Sequence, residues 1–254
     1  MRHPYHLVEP SPWPFLISLN LLFFMLGFVS IFGGYSNSVS TYFFSLFMVI
    51  SILLFWLYDI FSESFYLGSH PNAASKALIS GFLLFVLTEV MLFFSLFWGY
   101  FHSASNPNFL VWPPIGIELI NPWGVPLLNT LLLFYSGVAA TLAHHYFISQ
   151  NKKGSEFYLG IGIILGIFFV ILQGYEYYHS SFDIADSIYG SSFFMLTGLH
   201  GFHVITGLIF LSIIWFRLLK GHIPNVIFDL GLLYYHFLDL VWILLFILIY
   251  YLAY

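Results

Sequence analysis

The sequence contains no cysteine and has few charged residues. Its 254 residues include six Lys or Arg and eleven Asp or Glu. The lack of Cys excludes disulfides, thiolate zinc sites, iron–sulfur clusters and thiol nucleophiles. Only 7% of the residues are charged, whereas a soluble domain carries about a quarter. The chain therefore lacks the aqueous surface of a soluble enzyme and the basic footprint of a nucleic-acid-binding protein.

The sequence consists largely of long hydrophobic runs. The composition is 60% hydrophobic, and the mean hydropathy is +0.92. A bilayer core of about 30 Å needs about 20 apolar residues in helical form. The runs are continuous rather than alternating, which favours helices over barrel strands. The sequence therefore predicts an all-α integral membrane protein with spans at 15–33, 41–61, 77–103, 126–148, 156–178, 189–218 and 228–252.

The basic residues predict an orientation. When the loops between the seven spans are assigned alternately to the two sides, all six basic residues fall on one side. They are Arg2, Lys76, Lys152, Lys153, Arg217 and Lys220. The other side receives Glu118, Asp183 and Asp186. Basic residues in short loops stay on the inner side, so we expect the N-terminus inside and the C-terminus outside.

Two carboxylates lie near the middle of predicted spans. Glu89 is in the middle of the third span, and Asp239 is near the middle of the seventh. Such residues are costly in lipid and normally face the bundle interior or a wet cavity. Glu89 fits either a protonated carboxyl bonded to a neighbouring helix or a proton-relay or lipid-cleft site. For Asp239 we expect an interhelical hydrogen bond, to His236 or to a Tyr.

The chain has eleven histidines, which raises the question of a haem or copper site. His200 and His203 lie one turn apart in the sixth span, and only His236 could complete a set at their depth. We therefore predict no metal site and assign a structural polar network to His144, His145, Glu176, His200, His203 and His236. Gly162 and Gly166 predict close helix packing in the fifth span.

Motifs spread over the whole chain carry a family resemblance. They are the N-terminal HPYHLVEPSPWP (3–14), Glu89 with FFSLFW (93–98), WPPIGI (112–117), VPLLNT (125–130), DSIYGS (186–191) and YHFLDLVW (235–242). In this order they resemble the motifs of cytochrome c oxidase subunit III. The resemblance extends over essentially the whole chain.

The resemblance implies an architecture and a setting. Residues 1–75 would form an N-terminal segment with two helices, and 76–254 a five-helix bundle, arranged as a V with lipids in its cleft. Haem a, haem a3 and copper would belong to partner subunits, and this chain would bind none of them. Subunit I would be the main contact, with subunit II and supernumerary subunits around it and a respiratory supercomplex left open. The site would be the mitochondrial inner membrane, with the N-terminus in the matrix and the C-terminus in the intermembrane space.

The resemblance also implies a set of lipid contacts. Tyr58 and Ser62 stand where the family usually has arginines. The remaining residues expected to bind phosphatidylethanolamine, phosphatidylglycerol or cardiolipin are Trp56, Asp59, Glu63, His70, Glu89, Arg217 and Lys220.

Three functions compete on this sequence. The resemblance implies a non-catalytic, lipid-binding subunit of the proton-pumping oxidase that reduces O2 with electrons from cytochrome c. In that role it would support proton uptake and oxygen access in subunit I. From residues alone, the alternative is a haem b membrane oxidoreductase that uses intramembrane His pairs. A small transporter would predict inverted repeats and broken helices, which the sequence does not show.

Overall fold

A computed structural model describes residues 10–65, 72–105, 112–221 and 225–254, and these residues form helices, turns and loops without strands. In this part of the chain, seven α-helices are long and apolar enough to cross a membrane. They are α1 (Trp13–Phe32), α2 (Ser38–Phe65), α3 (Asn72–Ala104), α4 (Val125–Ile148), α5 (Lys152–Tyr178), α6 (Ile188–Leu219) and α7 (Asn225–Leu245). The predicted all-α membrane fold is confirmed.

Local sequence explains where several helices begin. Proline lies in the first turn of α1 and of α4. Backbone N–H groups in the first turn have no acceptor within the helix, so the lack of an N–H in proline costs no helical hydrogen bond there. Asn151 caps α5, because its side-chain oxygen accepts from the Gly154 N–H at 3.1 Å. Ser187 caps α6 in the same way, accepting from Gly190 at 3.0 Å. These caps satisfy N–H groups that a helix leaves without partners.

The last span changes its winding before it ends. The chain continues from α7 as a π-helix over Phe246–Tyr251. Two tyrosine hydroxyls from other helices donate to carbonyls in this segment: Tyr100 to Leu248 O at 3.1 Å and Tyr189 to Ile249 O at 2.9 Å. Hydrogen bonds from α3 and α6 therefore satisfy carbonyls that the irregular turn presents.

The chain divides into two compact units, Met1–Gly81 and Phe82–Tyr254. In the first unit α1 packs against α2. Gly27 permits the approach, because a Cβ at this position would lie 3.1 Å from the Cα of Tyr42. At the other end of the helix pair, the Trp13 indole donates to the Asp59 carboxylate at 2.5 Å.

In the second unit, α4, α5, α6 and α7 pack around a shared core. Its largest fully buried side chains are Trp242, Tyr235, Phe169, Phe193 and Phe228.

Glycines on α5 bring its neighbours close. A Cβ at Gly162 would lie 3.0 Å from Ser136 O on α4, and a Cβ at Gly166 would lie 2.6 Å from the Tyr235 hydroxyl on α7. The close helix packing predicted from this pair of glycines is confirmed.

Candidate functional site

Glu89 of α3 pairs with His203 of α6. The distance from Glu89 Oε2 to His203 Nε2 is 2.8 Å, and the two side chains are 18% and 9% exposed. The other ring nitrogen, Nδ1, lies 2.7 Å from Leu199 O. A carbonyl only accepts, so Nδ1 carries a hydrogen. The contact between Nε2 and Oε2 then holds a single proton, and the pair is neutral overall whether that proton is on Glu89 or on His203.

This pair lies at the wall of a cavity of about 360 Å³. On the same wall the hydroxyls of Thr206 and Tyr234 lie 3.2 Å apart. Aromatic rings form most of the remaining surface. The lining residues are Phe82, Phe85, Glu89, Phe202, His203, Thr206, Phe210 and Tyr234. A largely apolar cavity with one polar wall suits a chain-like apolar ligand with a polar end.

Two basic residues, Arg217 and Lys220, lie at the end of α6 beyond the cavity. His203, Thr206, Phe210 and Arg217 are spaced at i, i+3, i+7 and i+14, which places them on one side of the helix. Arg217 is in the last turn of α6 and is half-buried, whereas Lys220 just beyond it is exposed. The end of the second unit that carries Lys152, Lys153, Arg217 and Lys220 is called the basic end below.

Asp239 lies in a second carboxyl–imidazole pair. His236 Nδ1 is 3.0 Å from Asp239 Oδ2, and His236 Nε2 is 2.9 Å from the Thr141 hydroxyl of α4. Thr141 donates its own hydrogen to Gly137 O at 2.9 Å, so it accepts from Nε2. The hydrogen bond expected between helices therefore runs from His236 to α4, while Asp239 bonds within its own helix.

Glu176 lies in a buried cluster between α4, α5 and the π-helix. The Tyr250 hydroxyl donates to Glu176 Oε1 at 2.6 Å, and Gln173 Nε2 donates to the same oxygen at 3.3 Å. Asn129 Nδ2 donates to Gln173 Oε1 at 3.3 Å. Sequence reasoning missed Asn129 and Tyr250, although an Asn inside a predicted apolar span is a signal that could have identified the first.

The histidines of the predicted polar network bind separate partners. His200 Nε2 donates to Leu238 O at 3.1 Å, and its fully buried ring lies against Trp242. His144 Nε2 lies 2.7 Å from Asp229 Oδ1. His145 is exposed. Within the described residues the six side chains belong to separate clusters, and these residues contain no group of three or more potential metal ligands.

The structure gives different surroundings to the residues predicted to bind lipid in the first unit. Trp56, Asp59 and Glu63 are partly exposed on α2. The Asp59 carboxylate already accepts a hydrogen bond from the Trp13 indole. A lipid amine would therefore have to share this carboxylate with Trp13. His70 lies outside the described residues.

Comparison with known proteins places this helical bundle in a family. The model of the family described as cytochrome c oxidase subunit III matches residues 3–254. The chain belongs to the cytochrome c oxidase subunit III family. It is 44% identical over 255 residues to cytochrome c oxidase subunit 3 of Podospora anserina, covering 98% of this chain and 95% of the relative.

Other relatives of the subunit III family give the same result. Identity to the Rhizopus stolonifer protein is 44% over 254 residues, covering 98% of this chain and 90% of the relative. Identity to the Arabidopsis thaliana protein is 42% over 255 residues, covering 98% and 96%. Family membership makes the chain a component of an oxidoreductase complex, and its spanning helices make it a multi-pass membrane protein.

Proposed function

We propose that the chain is the lipid-binding core subunit III of a proton-pumping respiratory cytochrome c oxidase in the mitochondrial inner membrane. It carries no redox centre. The oxidase reduces O2 to water with electrons from cytochrome c, and haem a, haem a3 and copper belong to its partner subunits. Subunit I is the main contact, and this chain supports proton uptake and oxygen access there. The N-terminus lies in the matrix and the C-terminus in the intermembrane space.

The observation that carries the lipid-binding role is the cavity beside Glu89 and His203. Its rings can pack against an acyl chain, while the neutral pair avoids exposing a net charge to lipid. Arg217 continues the same side of α6 toward the basic end, where a lipid phosphate would lie. Lys220 is a second cation for that phosphate. Trp56, Asp59 and Glu63 are proposed lipid contacts of the first unit.

The hydrogen bonds of the histidines argue against the haem b alternative. A haem ligand needs a ring nitrogen with a free lone pair directed at iron. His203 uses both ring nitrogens, for Leu199 O and Glu89. His236 also uses both, for Thr141 and Asp239. Ligation by either residue would break a hydrogen bond inside the bundle.

Removal of the chain tests the redox assignment. The purified oxidase, stripped of this subunit with detergent, should keep its full haem and copper content while its proton ejection in vesicles decreases during turnover. Loss of haem in proportion to the subunit would contradict the proposal.

Filling the cavity tests the lipid assignment. Thr206→Phe should place a ring in the cavity and release a phospholipid, measured by mass spectrometry of lipids retained by the purified oxidase. Thr88→Phe is the matched control, because Thr88 is exposed on α3 and its hydroxyl donates to Phe85 O of its own helix. Equal lipid retention in both variants would contradict lipid binding at this cavity.

A further inference from the structure

A second apolar groove lies between α5 and α6. It has a volume of about 400 Å³ and is lined by nine apolar side chains and Ser212. Its lining includes Ile167 of α5 and Ile209 and Ile213 of α6. The Ser212 hydroxyl donates to Leu208 O at 2.7 Å, so its hydrogen is not directed at a ligand. The groove can therefore hold a hydrocarbon chain but gives it no polar anchor of its own.

The polar anchors lie beyond one end of this groove. On α5, Lys153, Gly160, Ile163 and Ile167 are spaced at i, i+7, i+10 and i+14 and share one side of the helix. Gly160 lies beside Trp215 of α6, since a Cβ there would make ordinary van der Waals contact with the indole nitrogen at 3.6 Å. That nitrogen donates across the helices to Glu156 O at 2.9 Å. An amphipathic Trp at this level is typical of a membrane–water interface.

Three lysines lie at the ends of α5 and α6, just past that tryptophan. Lys152 Nζ donates to Leu219 O at 2.8 Å, which brings the start of α5 beside Lys220. Lys153 and Lys220 are exposed, and no hydrogen bond or ion pair engages their side chains within the described residues. One carboxylate lies among them, Glu156, whose Oε1 is 3.5 Å from Lys152 Nζ. Three cations against one anion leave this corner of the basic end positively charged.

We propose that an anionic phospholipid occupies this groove, with an acyl chain against Ile167 and Ile213 and its phosphate between Lys153 and Lys220. Charge complementarity favours this occupant, because the cations lie where an apolar chain in the groove would reach the membrane surface. A transmembrane helix of another subunit fits less well. Close helix association uses small residues at the contact, and nine of the ten lining side chains are larger apolar groups.

The proposed site is separate from the cavity beside Glu89. That cavity uses Phe202, Thr206 and Phe210 of α6, whereas the groove uses Ile209 and Ile213, on the neighbouring side of the helix. The two sites hold separate acyl chains, although Lys220 is a proposed phosphate contact of both; Lys153 is specific to the groove. The two can be distinguished by which residues of α6 a bound lipid labels.

Photo-crosslinking of the intact oxidase tests the proposal. The purified complex is reconstituted in phosphatidylcholine vesicles with a trace of phosphatidylglycerol that carries a diazirine on its acyl chain. Mass spectrometry should find the label at Ile167, Ile209 or Ile213, and unlabelled phosphatidylglycerol should compete it away. With about 1 kcal/mol per basic residue, Lys153→Gln with Lys220→Gln should weaken binding roughly 20- to 30-fold at low salt.

Matched variants complete the design. Ile167→Trp should block labelling of the groove, whereas Ile164→Trp should not, because Ile164 is exposed on α5 but outside the lining. Lys76→Gln, an exposed lysine of the first unit, should leave the affinity unchanged. Equal labelling by a diazirine phosphatidylcholine would overturn the proposal, as would insensitivity to Ile167→Trp.

Discussion

Replacing Glu89 with Gln should leave the stability of this subunit almost unchanged, whereas replacing it with Leu should lower it. The reason is the hydrogen position on His203. Leu199 O fixes a hydrogen on Nδ1, so in the neutral form Nε2 accepts a hydrogen bond from a protonated Glu89. The side-chain amide of Gln is of similar size and can donate to the same nitrogen. Leu cannot, and it leaves a largely buried acceptor without a partner.

The expected losses of stability distinguish a protonated Glu89 beside an uncharged His203 from an ionic pair of the two. Loss of a hydrogen-bond partner for a buried polar atom costs about 1–3 kcal/mol, which is the effect we expect for Glu89→Leu. Glu89→Gln should stay within about 1 kcal/mol, because one neutral hydrogen bond replaces another. If the pair were ionic, removing one charge from a buried salt bridge would cost about 3–5 kcal/mol.

The assay is thermal dissociation of the subunit from the purified oxidase, followed for wild type and both variants at fixed detergent and lipid. Thr88→Val serves as a control on α3, since its hydroxyl donates to Phe85 O of its own helix. Infrared difference spectra should show a protonated carboxylic acid in the wild type that is missing from Glu89→Gln. Failure of Glu89→Gln to assemble, or a loss as large as that of Glu89→Leu, would refute a protonated Glu89 beside an uncharged His203.

Three further predictions concern packing, the buried cluster and metal content. Gly137→Ala should destabilise the bundle by about 1–3 kcal/mol, because the added Cβ would collide with the Asp239 carboxylate. Gly174→Ala should be tolerated in the same thermal assay, because a Cβ there would meet no described atom beyond its own helical turn within 4 Å. Tyr250→Phe should lower the dissociation temperature, since Glu176 loses its 2.6 Å donor; an unchanged midpoint would contradict this account. Metal analysis and a density map of the oxidase should place no metal within about 2.0–2.1 Å of a histidine nitrogen of this chain.

The helices could be predicted from the sequence because bilayer thickness sets their length. The predicted fourth span, 126–148, differs by one residue from α4 (Val125–Ile148). The predicted second span, 41–61, was shorter than α2 (Ser38–Phe65). Polar residues at its ends fall outside an apolar window yet continue the backbone hydrogen bonding. The π-helical turn after Leu245 has no sequence signal, since Phe, Ile, Leu and Tyr fit either winding.

The pairing of polar side chains was harder to predict. Glu89 and His203 are 114 residues apart, and their contact depends on the rotation of two helices about their axes, which an apolar run does not specify. His236 and Asp239 are three residues apart, a spacing that places two helical side chains together. That spacing was available in the sequence, and the expectation named His236 as a partner for Asp239. It was wrong to describe the bond as interhelical, because both residues lie in α7. The function came from the family motifs rather than from any of these contacts.

The carboxyl–imidazole pairs give one physical reason why apolar helices settle in a single register. Glu89 with His203 joins α3 to α6, and Asp239 with His236 reaches α4 through Thr141. Each pair can stay neutral by sharing one proton, so neither leaves a net charge in the bilayer. Association of apolar surfaces in lipid gains little from hydrophobicity. A rotated or shifted helix would instead leave a donor or an acceptor unpaired in hydrocarbon, at about 1–3 kcal/mol for each group. The pairs therefore select the observed packing by penalising the alternatives.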